Sequence, residues 1–135
     1  MARKSSGCVV YRFNQDGIGE LEILLVTNRS GKEWVFPKGG VEPDMTPRDS
    51  AVKEVYEEAG VTGIIGPKLG KYRYVKDGVM QKVNMYAMRY SNDTEDWPEQ
   101  DIRTRQWFPI DRAEKKLNEF LVPFLHDLRK TVLDQ

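Results

Sequence analysis

Three glutamates, Glu54, Glu57 and Glu58, fall within five positions in the stretch KEVYEEAG. In a helix, offsets of three and four residues bring such side chains to one flank. At about 100° per residue the three occupy an arc of roughly 100°, opposite an apolar arc of roughly 140° made by Ala51, Val52, Val55, Tyr56 and Ala59. Like charges at that spacing oppose helix formation unless something neutralises them. A divalent cation does so, and Mg2+ favours carboxylate oxygens combined with waters and substrate phosphates over a complete protein cage. Just upstream, Gly39 and Gly40 read as a flexible loop whose backbone carbonyls can complete a metal shell. Lys38, beside them, is placed to meet a phosphate. The chemistry these residues suit is binding of Mg2+ or Mn2+ against a phosphorylated small molecule.

Other positive side chains extend that expectation. Arg3 and Lys4 precede the first apolar run, Arg29 and Lys32 precede WVFP, and Arg103 and Arg105 alternate on one face of a late strand together with Trp107. Guanidinium groups bind phosphate bidentately, so Arg3, Lys4, Arg29, Lys38, Arg103 and Arg105 are the candidate substrate-binding set. Tyr72, Tyr74 and Trp97 read as packing residues, with stacking on an adenine as the other option. His126 is the single histidine and Cys8 the single cysteine. No Ser-His-Asp or Cys-His set can be nominated with any specificity; His126 is expected on a surface and Cys8 as a small buried hydrophobe.

The elements that must hold these residues follow from local signals. SGCVVYRF and LEILLVTN read as two strands joined by a turn through NQDGIG, and WVF as a third strand stopped by Pro37. Thr46 is the expected N-cap of the glutamate helix, Pro47 its first residue, Asp49 a first-turn acid and Gly60 its stop. KLGKYRYVK and VMQKVNMYAMRY flank Asp77-Gly78, a hairpin signal. A polar loop SNDTEDWPEQD and a strand IRTRQWFPI follow. Asp111 is the expected cap of a short helix, DRAEKKL, and NEFLVPFLHDLRKTVL reads as a final amphipathic helix interrupted near Pro123. Helices packed on a mixed sheet are the expected α/β architecture.

Length and charge set the outer limits. A chain of 135 residues suits one domain, 1–135. With 21 basic and 21 acidic side chains the formal net charge is zero, which argues against a general nucleic-acid or membrane coat. The apolar run after MARKSS is too short for a signal-peptide core, and no stretch approaches a membrane span, so the cytoplasm is the expected compartment.

The residues from Gly39 to Val61 resemble the Nudix box, Gly-x5-Glu-x7-Arg-Glu-U-x-Glu-Glu-x-Gly-U, where U is a bulky aliphatic residue. Gly39, Glu54, Val55, Glu57, Glu58, Gly60 and Val61 match; Met45 stands at the first Glu and Lys53 at the Arg. The resemblance implies an α/β/α sandwich and metal-dependent hydrolysis of a diphosphate linked to another group. It implies Glu54, Glu57 and Glu58 as metal ligands with the Gly39 carbonyl. Either Glu54 or Glu57, or an acid outside the box such as Glu95, Asp96, Glu99 or Asp101, would handle the attacking water. Lys53 keeps the charge of the box arginine but not its planar fork. Met45 removes a supporting carboxylate, for which Asp44 is the nearest replacement. The order EDWPEQDIRTRQWFPIDRAEKKL is similar to diphosphoinositol polyphosphate phosphohydrolases, which also cleave diadenosine polyphosphates, and to bacterial dinucleoside polyphosphate hydrolases. The alternatives are a catalytically silent module that binds a nucleotide or phosphorylated ligand, and removal of a 5′ pyrophosphate from RNA. Zero net charge makes the RNA option the weaker.

Overall fold

The computed structural model describes residues 2–14 and 19–133. Strand β1 (Ala2–Phe13) runs centrally and is longer than its apolar core. Beyond it come β2 (Leu21–Thr27), β3 (Trp34–Val35), β4 (Lys38–Gly40), α1 (Pro47–Ala59), β5 (Val61–Lys76), β6 (Val79–Asp93), β7 (Arg105–Pro109), α2 (Ile110–Lys116), a single 3-10 turn (Glu119–Leu121) and α3 (Val122–Leu133). β1 pairs in parallel with β6 along one edge, from Ala2 opposite Met80 to Tyr11 opposite Arg89. Its other edge is divided: Ser5–Gly7 pair with β4, and Val10–Phe13 pair with β2, both antiparallel. That fork leaves an opening between β4 and β2 at the sheet's middle. Of the expected turn 14–19, residues 15–18 lie outside the described residues.

Alternation along the strands builds two cores. Val9, Ile23, Leu25, Met85 and Phe108 face α2 and α3, where Ala113, Phe124, Leu125 and Leu128 meet them. Cys8, Val10, Leu24, Val26, Tyr86 and Met88 face α1, where Ala51, Val55 and Ala59 close the other side. The result is a mixed sheet between helices, an α/β/α sandwich. Burial pushes the Cys8 thiol up to about 12, as expected of an inert core cysteine.

The caps of α1 behave as their chemistry requires. The Thr46 hydroxyl accepts from the Asp49 N–H at 3.1 Å, Pro47 opens the helix, and Gly60 ends it at φ 66° with its N–H donating to the Tyr56 carbonyl. Asp77 and Gly78, both at positive φ, turn β5 into β6.

Four expectations are corrected. Lys38–Gly40 is a strand held in register against β1 rather than a flexible loop, because its backbone pairs with Ser5–Gly7. Tyr56, assigned to the core-facing arc, is exposed, whereas Glu54 and Glu58 are buried: α1 is rolled so that two acids, not the tyrosine, point inward. Asp111 lies inside the first turn of α2 rather than capping it, and its carboxylate takes an ion pair from Arg129 at 2.6 Å. Arg103 falls before β7, in the loop that delivers it to α1.

Candidate active site

The carboxylate flank of α1 faces a cleft of about 1070 Å³ at the fork of the sheet. β4 forms its floor, α1 one wall, and β5 with the 3-10 turn the other. Glu54 packs directly on Gly39, where an ideal Cβ would lie 2.1 Å from the Glu54 carboxyl carbon. Only glycine leaves room for that carboxylate. Glu58 accepts from the Lys38 backbone N–H at 3.2 Å and from Arg103 Nη2 at 3.1 Å. Glu57, less buried, pairs with Lys53 at 2.9 Å.

Charge is unevenly settled in this cluster. Desolvation raises the Glu58 carboxyl to about 7, against the lowering effect of Arg103 and of the Lys38 N–H. Desolvation and then the Glu57 charge also raise Glu54, while Lys53 opposes. The hydrogen bond to Glu57 raises Lys53 itself, with Glu54 and Glu42 reinforcing it. Two inward acids are therefore short of compensating positive charge.

That deficit, and a donor set of carboxylate and carbonyl oxygens around a glycine cradle, fit a hard divalent cation. The geometry is not that of a finished ligand set. Among the described residues no group of three or more His, Cys, Asp or Glu side chains is arranged to hold a metal ion. The three glutamates share a flank but are turned toward resident cations: Glu57 and Glu54 toward Lys53, Glu58 toward Arg103.

Of the candidate substrate residues, Arg3, Lys4, Arg29, Lys38 and Arg103 line the cleft. Lys38 Nζ donates to Tyr74 Oη at 2.7 Å, which aims the ammonium across the floor. Arg103 is present but engaged: Nε donates to Glu99 at 3.0 Å, Nη1 to the Thr27 carbonyl at 3.0 Å and Nη2 to Glu58. It braces acids rather than offering a free fork. Arg105 does not line the cleft. Its Nη1 donates to the Ala59 carbonyl at 2.8 Å and its guanidinium lies 3.9 Å over the Trp97 ring, so it closes the C-terminus of α1. Trp97 is thus spoken for, and its Nε1 donates to the Glu58 carbonyl at 3.0 Å. Tyr72 and Tyr74 do line the cleft, stacked at 6.0 Å, with Tyr72 also packed on Phe120 and Phe124. His126 is surface-exposed beside Glu114 at 3.5 Å.

The structure adds residues that sequence reasoning missed or left undecided. Among Glu95, Asp96, Glu99 and Asp101, Glu99 is the one that lines the cleft; its N–H donates to the Glu57 carbonyl at 3.0 Å, docking the loop on α1. Glu42 also lines the cleft and reaches Lys53 at 3.4 Å, whereas Asp44 and Met45 are not among the lining residues. Lys76 was findable, since it shares a strand face with Tyr72 and Tyr74 by period two.

A glycine strand feeding a capped helix whose acids enter a sandwich cleft defines a recognised architecture. The sequence model of the NUDIX domain matches residues 1–128, and the chain belongs to the Nudix family. Nudix hydrolase 4 of Arabidopsis thaliana is 38% identical over 120 residues, covering 84% of this chain and 58% of that protein. The human diphosphoinositol polyphosphate phosphohydrolase NUDT4B is 36% identical over 118 residues, covering 85% of this chain and 62% of the relative. The chain thus spans about three-fifths of the length of these relatives. The solved structure of a C. elegans Ap4A hydrolase binary complex superposes with a TM-score of 0.84 at 22% identity, covering 99% of this chain and 100% of that one, a likeness of fold.

Proposed function

We propose that this chain is a divalent-cation-dependent hydrolase that cleaves a phosphoanhydride bond in dinucleoside polyphosphates or diphosphoinositol polyphosphates. The observation that carries the reading is the pairing, within one cleft, of an acid-lined wall at Glu54, Glu57, Glu58 and Glu99 with a cationic rim at Arg3, Lys4, Arg29, Lys38 and Lys76. The relatives named for diphosphoinositol polyphosphates and the structural neighbour named for Ap4A support the two substrate classes.

Glu54, Glu57 and Glu58, with the Gly39 carbonyl, are the residues that would hold Mg2+ or Mn2+. Bound there, the cation supplies charge neutralisation and a lowered pKa for the attacking water. The chain's own contributions are separable. Lys38, steered by Tyr74, and the rim residues Arg3, Lys4 and Arg29 bind and orient phosphate oxygens. Arg103 fixes the Glu58 and Glu99 carboxylates in the cleft wall. Glu54, Glu57 or Glu99 takes the proton from the attacking water.

The test is a substrate panel, with and without Mg2+ or Mn2+: diadenosine penta- and hexaphosphate, a diphosphoinositol phosphate, ADP-ribose, nucleoside triphosphates and a 5′-triphosphorylated RNA. Metal-dependent turnover of one of the first two classes is expected, and Glu58→Gln is expected to reduce it by about a hundredfold or more. Folded protein that turns over none of the panel removes the enzyme reading.

A second reading, a silent module that binds a phosphorylated ligand, draws on the absence of a finished ligand set among the described residues and on Met45. Met45→Glu separates the two. A large rise in rate marks an impaired enzyme, and no rate before or after marks a binder.

A further inference from the structure

Lys53 is the hub of the acid cluster. Its ammonium lies 2.9 Å from Glu57, 3.4 Å from Glu42 and 3.5 Å from Glu54. Two of these partners are the acids that the proposed function needs for a cation. Lys53 and that cation compete for the same oxygens, and a chain that uses them must first move the ammonium aside.

Glu42 differs from the other two. It belongs to the segment between β4 and α1, not to the helix, and it is fixed from both backbone sides. Its N–H donates to the Ser50 hydroxyl at 3.2 Å, and its carbonyl accepts from the Met45 N–H at 3.1 Å. Its side chain is about half exposed, so an ion pair there carries little desolvation cost. Lysine is a point charge on a flexible four-carbon stem, able to change partners where an arginine fork would stay. Met45 offers no carboxylate, and Asp44 is exposed and does not line the cleft.

We propose that Glu42 is a positioning residue: it retains the Lys53 ammonium when Glu54 and Glu57 turn to a divalent cation. The inference rests on the cation reading above and concerns which residue makes that reading workable.

The experiment is a double-mutant cycle read by Mn2+ binding, followed by the electron-spin resonance of free Mn2+, on the unaltered chain, Glu42→Gln, Lys53→Met and the double variant. Glu42→Gln is expected to weaken Mn2+ binding by about two- to fivefold, the span of a partly exposed ion pair, and to have no further effect once Lys53 is methionine. Glu42→Asp, which keeps the charge, is expected to recover most of the affinity, and thermal unfolding verifies that each variant is folded. An equal loss in both backgrounds overturns the proposal, because Glu42 would then act on the cation and not through Lys53. Unchanged affinity in Glu42→Gln also overturns it. Failure of the unaltered chain to bind Mn2+ removes the cation reading itself, and this inference with it.

Discussion

Glu58 concentrates the site's electrostatic strain. It is pressed between Arg103 and the Lys38 N–H on one side and Glu54 and Glu99 on the other, with the Tyr72 ring close by. Its folded-state pKa of about 7 lies above the ordinary carboxylate value of 4.5. The folded chain therefore binds more protons than the unfolded chain between those values, and stability falls as pH rises through that window. Glu54, raised as well, adds to the same slope. The metal-free protein is expected to melt at lower temperature at pH 7.5 than at about pH 5, and saturating Mn2+ to remove most of that difference. A melting temperature flat across the window would show that Arg103 fully compensates Glu58. Arg103 and Glu58 each expose only 8% of their side chains. Such a pair is better regarded as a device for placing acids than as a source of stability.

At the scale of elements, one glycine packs against α1 and another ends it, and the two fail differently when filled. Gly39→Ala would set a methyl group against the Glu54 carboxylate, the far end of a flexible side chain that can swing away. The free energy of unfolding is expected to change by less than about 1 kcal/mol while Mn2+ affinity drops, because the displaced group is a candidate ligand. Gly60→Ala meets a backbone at φ 66° and the Trp97 side chain. It is expected to cost about 1–2 kcal/mol of stability in denaturant unfolding. The ends of α1 were legible in the sequence because Thr46, Pro47 and Gly60 act on their own backbone neighbours. The facing of the helix was only half legible: periodicity assigns apolar residues inward, and it has no means of knowing that a cleft receives Glu54 and Glu58 while Tyr56 is left outside. Glu42 was hidden, and Glu99 was not separable from Glu95, Asp96 and Asp101, for a related reason. Their roles exist only once β4 and the 94–104 segment are laid against α1, contacts made across 11 residues in one case and 42 in the other.

Over the whole molecule, a formal charge of zero leaves room for a local gathering of basic side chains. Arg3, Lys4, Arg29, Lys38 and Lys76 come from four separate stretches and converge on one cleft, in which Glu54 and Glu58 are buried. A polyanion approaching that rim is steered by a field that salt screens over about 8–10 Å at physiological ionic strength. KM for a polyphosphate substrate is expected to rise several-fold from low to high salt while kcat changes little. A KM insensitive to salt would remove the rim from substrate capture. The sheet's connectivity bears on synthesis as well. Its central strand finds its parallel mate only at Met80–Arg89, and β2 finds its second neighbour only at Arg105–Pro109. At ribosomal speeds of about 5–20 residues per second, Val9 and Val10 wait roughly 4 to 16 s with one flank unzipped. The nascent polypeptide thus passes through a sticky interval fixed by its topology, during which a holdase chaperone has time to engage it.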